Sequence, residues 1–356
     1  PMSKIAGEEM NRSISYFASM INAKENEILI GGSTSINLYV LSNALKKFII
    51  PGDEIIVTNQ DHEANISPWR RLSECGAKII EWKINKNTGE LEIETLEKII
   101  SKKTKILAVT HCSNIVGSVN NLNKITNLAH NYDTIVVGDG VSYAPHGFPN
   151  VKELGVDFYT FSLYKTYGPH LGLLYGKEEI LKKLPNQNHE FLDGQYPYTI
   201  NPGGPNHEES AALVGIYEYL ENLYKHHFKN NNITILNKIK KLNNLISNYE
   251  EELANPLLEY ISSNKYLQLI GKNKIENKNR APTIAFISKY KSSKEISDYL
   301  IKNNIATRND NFYAWRCLKT MGINTEDGVI RISLVHYNKL CEVNKLIKLL
   351  DKINWN

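Results

Sequence analysis

The chain has 356 residues, 42% of them apolar, 22% charged and 9% aromatic, an ordinary globular balance that excludes disordered and collagenous classes. Its 42 Lys and Arg against 38 Asp and Glu leave a net charge of +4, dispersed among acids, which describes a solvated surface rather than a nucleic-acid footprint. No run approaches the roughly 18 uninterrupted apolar residues of a membrane span, and the cysteines at 75, 112, 317 and 341 are far apart, so neither a disulfide framework nor a metal-ligand spacing is indicated. The expectation is a soluble, cytoplasmic protein without a targeting segment, metal or nucleic-acid partner.

The first residues read as amphipathic helix, and a strand follows over 28–31. Gly31-Gly32-Ser33-Thr34-Ser35 then opens a helix over 36–48, where backbone N–H groups and hydroxyls suit an anion such as a phosphate, although the same residues would also serve as a plain N-cap. No G-x-x-x-x-G-K-[ST] or G-x-G-x-x-G is present, so a phosphate here belongs to something other than ATP or NAD. A strand over 54–58 leads to Asp61-His62-Glu63-Ala64-Asn65 and a helix over 65–75. A strand over 78–82 and a helix over 93–100 come next, then a strand over 106–110 followed by His111, Ser113 and Asn114. After a helix over 122–129, the apolar strand 134–138 ends on Asp139, a carboxylate that needs a cation or a strong donor. The strand 158–161 runs into Ser162-Leu163-Tyr164-Lys165-Thr166-Tyr167-Gly168-Pro169-His170, a setting in which a lysine loses its proton readily.

Strands alternating with helices predict an α/β fold with a mostly parallel sheet, whose ligands sit beyond the strands' carboxyl ends. A long helical pattern over 208–228 is broken by Asn230-Asn231-Asn232. Beyond it the sequence predicts helices over 233–247 and 294–303, strands over 283–287 and 329–334, and an exposed loop or short hairpin over 263–280. The division is a large domain over 1–230 and a smaller C-terminal α/β domain over 231–356.

Taken in order, a phosphate-binding turn, a flat imidazole, an amide, a carboxylate and a lysine match what pyridoxal 5′-phosphate requires: a helix end for the phosphate, a carboxylate for the pyridine nitrogen and a lysine for the aldehyde. With Asp61-His62-Glu63-Ala64-Asn65, Pro68-Trp69, Thr110-His111-Cys112-Ser113-Asn114, Tyr143-Ala144-Pro145-His146, Gly168-Pro169-His170-Leu171-Gly172 and Arg331-Ile332-Ser333 leading to His336-Tyr337-Asn338, the chain resembles the class V aminotransferase superfamily of fold-type I, in its cysteine desulfurase-like branch. The resemblance spans nearly the whole chain. It implies a mostly parallel sheet of the seven-stranded type covered by helices, and a homodimer that builds its cofactor site from two subunits. It also implies that Lys165 forms the internal aldimine, that Asp139 pairs with the pyridine nitrogen and that His62 stacks on the ring, these three being the catalytic residues. Ser33, Thr34 and Ser162 would hold the phosphate, Asn114 and Ser142 would lie near the phenolic oxygen, and Arg331 would clamp the substrate carboxylate.

Departures from the pattern bear on the reaction. Ser142 stands where Gln or His is common, and Gly204 where relatives often carry a threonine that reaches the neighbouring subunit's phosphate. The position of a desulfurase's persulfide-forming cysteine falls near Tyr313; the nearest thiol is Cys317, one helical turn on, which reads as a possible catalytic thiol or as a buried structural one. The chain begins inside what resembles the family's first long helix. The function expected is desulfuration or C–S lysis of cysteine or a cysteine conjugate through a quinonoid, with a possible sulfur acceptor. The alternatives are a class V aminotransferase or epimerase acting on another amino acid, and a cofactor-binding scaffold without turnover.

Overall fold

In the computed structural model, which describes residues 2–355, the β-branched runs pair into one large sheet. Its strands are β1 (Ile28–Gly31), β2 (Glu54–Thr58), β3 (Lys78–Trp82), β4 (Thr104–Thr110), β5 (Ile135–Asp139), β6 (Phe158–Ser162) and β7 (Gly172–Gly176), in the order β1-β7-β6-β5-β4-β2-β3. The pairs β2·β3, β2·β4, β4·β5 and β5·β6 are parallel, and only β7 runs against its neighbours, so β1, β2, β4, β5 and β6 all end at one edge. Side chains alternate between two apolar layers, as the pleat requires. Ile55, Val57, Ile106 and Ala108 face the layer that holds Leu38 and Leu41. Ile56, Leu107 and Val109 face the one that holds Phe17 and Phe161.

A second, antiparallel sheet contains β8 (Leu267–Ile270), β9 (Thr283–Ser288), β10 (Arg308–Asp310) and β11 (Val329–Ser333) in the order β10-β11-β9-β8. The helix Ile235–Ser263 joins the two units: Ile239 and Leu242 belong to the apolar layer with Phe17, whereas Leu253, Leu257 and Ile261 belong to the core of the small sheet.

Beyond adding the strands β7 and β10, the structure departs from the sequence expectations at four segments. The segment 263–280 is not simply exposed loop, because it contains β8 and the fully buried Arg280. The helix expected to end at Ser247 continues to Ser263 through Pro256, since Leu253, Leu257, Leu258 and Ile261 keep the helical apolar spacing and are buried. The helix expected over 65–75 is helical only from Ser67 to Arg70 and then tightens into a 3₁₀ turn ending at Gly76, which is left-handed at φ +86°. The long pattern over 208–228 is two helices, His207–Ala212 and Val214–His227. No helix among the described residues is long and apolar enough to cross a membrane.

Candidate active site

The common strand edge gathers the residues that sequence reasoning had placed after each strand. Gly31 and Ser162 both pair with Gly172 of β7, which brings the turn after β1 beside the end of β6. Ser33 caps the helix Thr34–Leu45, accepting from the Ile36 N–H at 3.2 Å, and the Thr34 and Ser162 hydroxyls lie 2.9 Å apart. Gly172 is required there, because a Cβ would collide with the backbone of Ser33 and Thr34. The result is a helix N-terminus flanked by three hydroxyls, an anion cradle of phosphate type.

Asp139 ends β5, and its Oδ1 accepts from the Val141 N–H at 2.8 Å. Burial raises its carboxyl to about 6, against the Val141 N–H and the positive charge of Lys165, and no cation pairs with it directly among the described residues. His62 Nδ1 accepts from the Ala64 N–H at 3.1 Å, which fixes the neutral tautomer, and burial lowers the imidazole to about 4, with Lys165 adding to the effect. Lys165 closes the 3₁₀ turn after β6 and reaches into the cleft, its Nζ 5.7 Å from the Tyr164 ring centroid. Although the side chain stays accessible to solvent, partial desolvation in the cleft lowers its pKa, Arg331 adds to this and Asp139 opposes it.

A cleft of about 340 Å³ brings Lys165 together with Asn114, Ser142, His146, Arg331 and Tyr337. Asn114 donates from Nδ2 to the Phe312 carbonyl at 2.9 Å, while its buried Oδ1 has no hydrogen-bond partner among the described residues. Ser142 makes no hydrogen bond among the described residues. The Arg331 guanidinium lies 3.8 Å from the Phe312 ring centroid and donates to the Asn114 carbonyl at 3.2 Å. Burial lowers it to about 10, and no carboxylate pairs with it among the described residues. An unpaired guanidinium, an ammonium and an unsatisfied amide oxygen in one cleft fit an amino acid carboxylate and a polar ring substituent.

Cys317 is not brought to this cleft. It is fully buried in an apolar seam with Ile84, Val116, Ile270 and Leu318, and burial pushes its thiol up to about 12. No cysteine lines the cleft among the described residues. Tyr313 is 65% exposed, and its ring lies 5.1 Å from that of His62. Sequence reasoning missed Phe312 as the surface beneath Arg331 and Asp61 as a second buried carboxyl. The Phe312 contact spans distant segments and left no local signal, whereas Asp61 stands in the motif with His62 and was open to notice.

The donors present fit pyridoxal phosphate: a hydroxyl-lined helix end, a carboxylate short of a cation, a flat neutral imidazole and a lysine of lowered pKa at one sheet edge. Sheet order and site together define a fold-type I enzyme of the pyridoxal-phosphate class. The profile of the family described as "Aminotransferase class-V" matches residues 2–346. The chain is 34% identical over 341 residues to the aminotransferase-like protein FGM3 of Gibberella zeae, covering 94% of this chain and 81% of that protein. It is 30% identical over 362 aligned positions to a cysteine desulfurase of Yersinia pseudotuberculosis, covering 97% and 82%. The apo structure of a cysteine desulfurase from Thermococcus onnurineus superposes with a TM-score of 0.86 at 26% identity, covering 99% of this chain and 85% of that one. The chain belongs to the class V aminotransferase family, in its cysteine desulfurase-like branch.

Proposed function

We propose that this chain binds pyridoxal 5′-phosphate at Lys165 and cleaves the C–S bond of cysteine or a cysteine conjugate by direct elimination, giving a thiol or sulfide, pyruvate and ammonia. The observation that carries the reading is the pairing in one cleft of Lys165, whose pKa is lowered, with an Arg331 that has no carboxylate partner, while no thiol lines that cleft. Ser33, Thr34 and Ser162 would hold the phosphate, Asp139 would meet the pyridine nitrogen, neutral His62 would cover a ring face, and Asn114 and Ser142 would lie by the phenolic oxygen. Bound there, the cofactor supplies an electron-withdrawing ring that acidifies the substrate's α-hydrogen. Arg331 orients the α-carboxylate and Lys165 Nζ takes the α-proton, a role that a lowered pKa favours.

Two further features belong to the same reading. Ile36 and Tyr39 on the helix Thr34–Leu45 and Ile50 just beyond it, 53%, 50% and 64% exposed, support a homodimer, to be checked by sedimentation at twice the chain mass. The four free thiols and the charged surface accord with a reducing, cytoplasmic setting.

The test is a product assay of the cofactor-loaded protein with L-cysteine, an S-alkylcysteine, L-alanine and L-glutamate. Sulfide or thiol with equimolar pyruvate is the expected result, and Cys317→Ala retains it within about twofold because that thiol is walled off. Alanine formed together with sulfane sulfur on an external acceptor thiol would instead show desulfuration. The absence of a cleft thiol also favours a second reading, transamination or epimerisation, which would appear as a keto acid with pyridoxamine phosphate or as an inverted amino acid. No turnover of any amino acid would mean a cofactor-binding scaffold.

A further inference from the structure

A buried carboxylate requires a donor or a cation, and Glu250, on the helix Ile235–Ser263, is 2% exposed. Its one partner among the described residues is His146, whose Nδ1 lies 3.0 Å from each carboxylate oxygen. His146 follows Pro145 in the turn after β5 and stands in the wall of the cleft that holds Lys165 and Arg331. Glu250 lines a second cavity, together with Arg280 and Lys278, and His146 lines both that cavity and the cleft. With Nδ1 engaged by Glu250, Nε2, which has no hydrogen-bond partner among the described residues, is the nitrogen left to serve the cleft. A carboxylate accepting from Nδ1–H holds the ring in place and stabilises the imidazolium form, the one in which Nε2 also carries a proton and can donate it.

We propose that His146, positioned by Glu250, is the proton donor to the departing sulfur; this rests on the C–S elimination proposed above. As Lys165 takes the α-proton, the electron pair of the Cα–H bond becomes the Cα–Cβ double bond. The Cβ–S bond breaks with its pair going to sulfur, and the Nε2 proton follows to give the neutral thiol. The neutral imidazole regains its proton from water. Lys165 and Arg331 cannot share this task without leaving their own: one accepts the α-proton and the other holds the carboxylate.

The discriminating variant is His146→Asn, whose amide N–H keeps a donor for Glu250 and so preserves the tie between the turn and the helix. It is assayed as holoenzyme against two cysteine conjugates, one with an alkylthiol leaving group that needs a proton and one with a nitrophenylthiol that leaves as the anion. The expected result is a loss of about 10²-fold or more in kcat for the alkyl conjugate and less than about threefold for the nitrophenyl one, the span that general acid catalysis covers. Glu250→Gln is expected to show the same selectivity at smaller size. Diethylpyrocarbonate labelling of the wild-type holoenzyme, read by peptide mass spectrometry, is expected to modify His146 and to be blocked by a bound cysteine conjugate. Equal losses on both substrates, no loss on either, or a His146 that is unlabelled or labelled regardless of substrate overturns the proton-donor role and leaves the elimination reading intact. A wild-type enzyme that releases thiol from neither conjugate overturns the elimination reading itself, and this inference with it.

Discussion

Two buried carboxyls, Asp61 after β2 and Asp139 at the end of β5, stand on either side of β4 and are driven to different states by their surroundings. Asp139 has the Val141 N–H and the charge of Lys165 to offset burial, and its carboxyl rises only to about 6. Asp61 is fully buried, accepts from Thr58 and from Asn65 Nδ2, and is pushed up to about 8 by burial first and by Asp139's charge among the lesser causes. Asp61 therefore keeps its proton to a higher pH than Asp139 does. The sign of the consequence follows from linkage: an unfolded Asp releases its proton near 3.9, whereas folded Asp61 keeps it up to about 8. Between those values the folded state binds more protons, so this group makes stability fall as pH rises. Asp61→Asn is expected to flatten the decline of melting temperature between about pH 4 and pH 8. An unchanged slope would show that Asp61 ionises normally in the fold.

At the scale of elements, the site depends on how closely β7 lets the first helix approach β6. Gly172 has no side chain, so the backbone of Ser33 and Thr34 rests directly on the strand and the hydroxyls of Thr34 and Ser162 meet. Gly172→Ala is expected to push that helix end back and weaken cofactor binding about 10-fold or more, as overpacking of ~1–3 kcal/mol implies, in a titration of the apoprotein followed by visible absorption. Unchanged affinity would mean that the phosphate does not sit there. β7 itself was not legible as a strand, because Gly172-Leu173-Leu174-Tyr175-Gly176 is short and enclosed by glycines, yet pairing with both β1 and β6 makes it buried throughout. Pro256 hid the second half of its helix in the same way. Burial of Leu257, Leu258 and Ile261 outweighs the proline's lost N–H, and Asn255 adds side-chain bonds to the Ile275 backbone. By contrast, Ser33, His62, Asn114, Asp139 and Lys165 were legible because each follows a strongly apolar strand, and parallel strands deliver their ends to one edge. The facing of Cys317 was not legible, since helical spacing alone does not say which partner surface the helix meets.

Across the whole molecule, the cleft lies where the large sheet's carboxyl edge meets the small antiparallel sheet. Lys165, Asn114 and Ser142 come from the first and Arg331 from the second, so the reacting and the orienting groups are set by the contact between two cores. That contact is an apolar seam through Ile84, Val116, Ile270, Phe312 and Cys317, and the helix Ile235–Ser263 is anchored in both units. Arg331 stands at the cleft stacked on Phe312 and bonded to the Asn114 carbonyl, so under the proposed function packing within this seam would decide where a substrate carboxylate is held. Under the proposed function, both units are organised around a cofactor held covalently by Lys165. The measurement that tests it most directly is borohydride reduction of the protein with pyridoxal phosphate, followed by peptide mass spectrometry. A phosphopyridoxyl group on Lys165, absent from Lys165→Ala, is the expected result; no label with cofactor in excess, or a label on another lysine, would contradict the account.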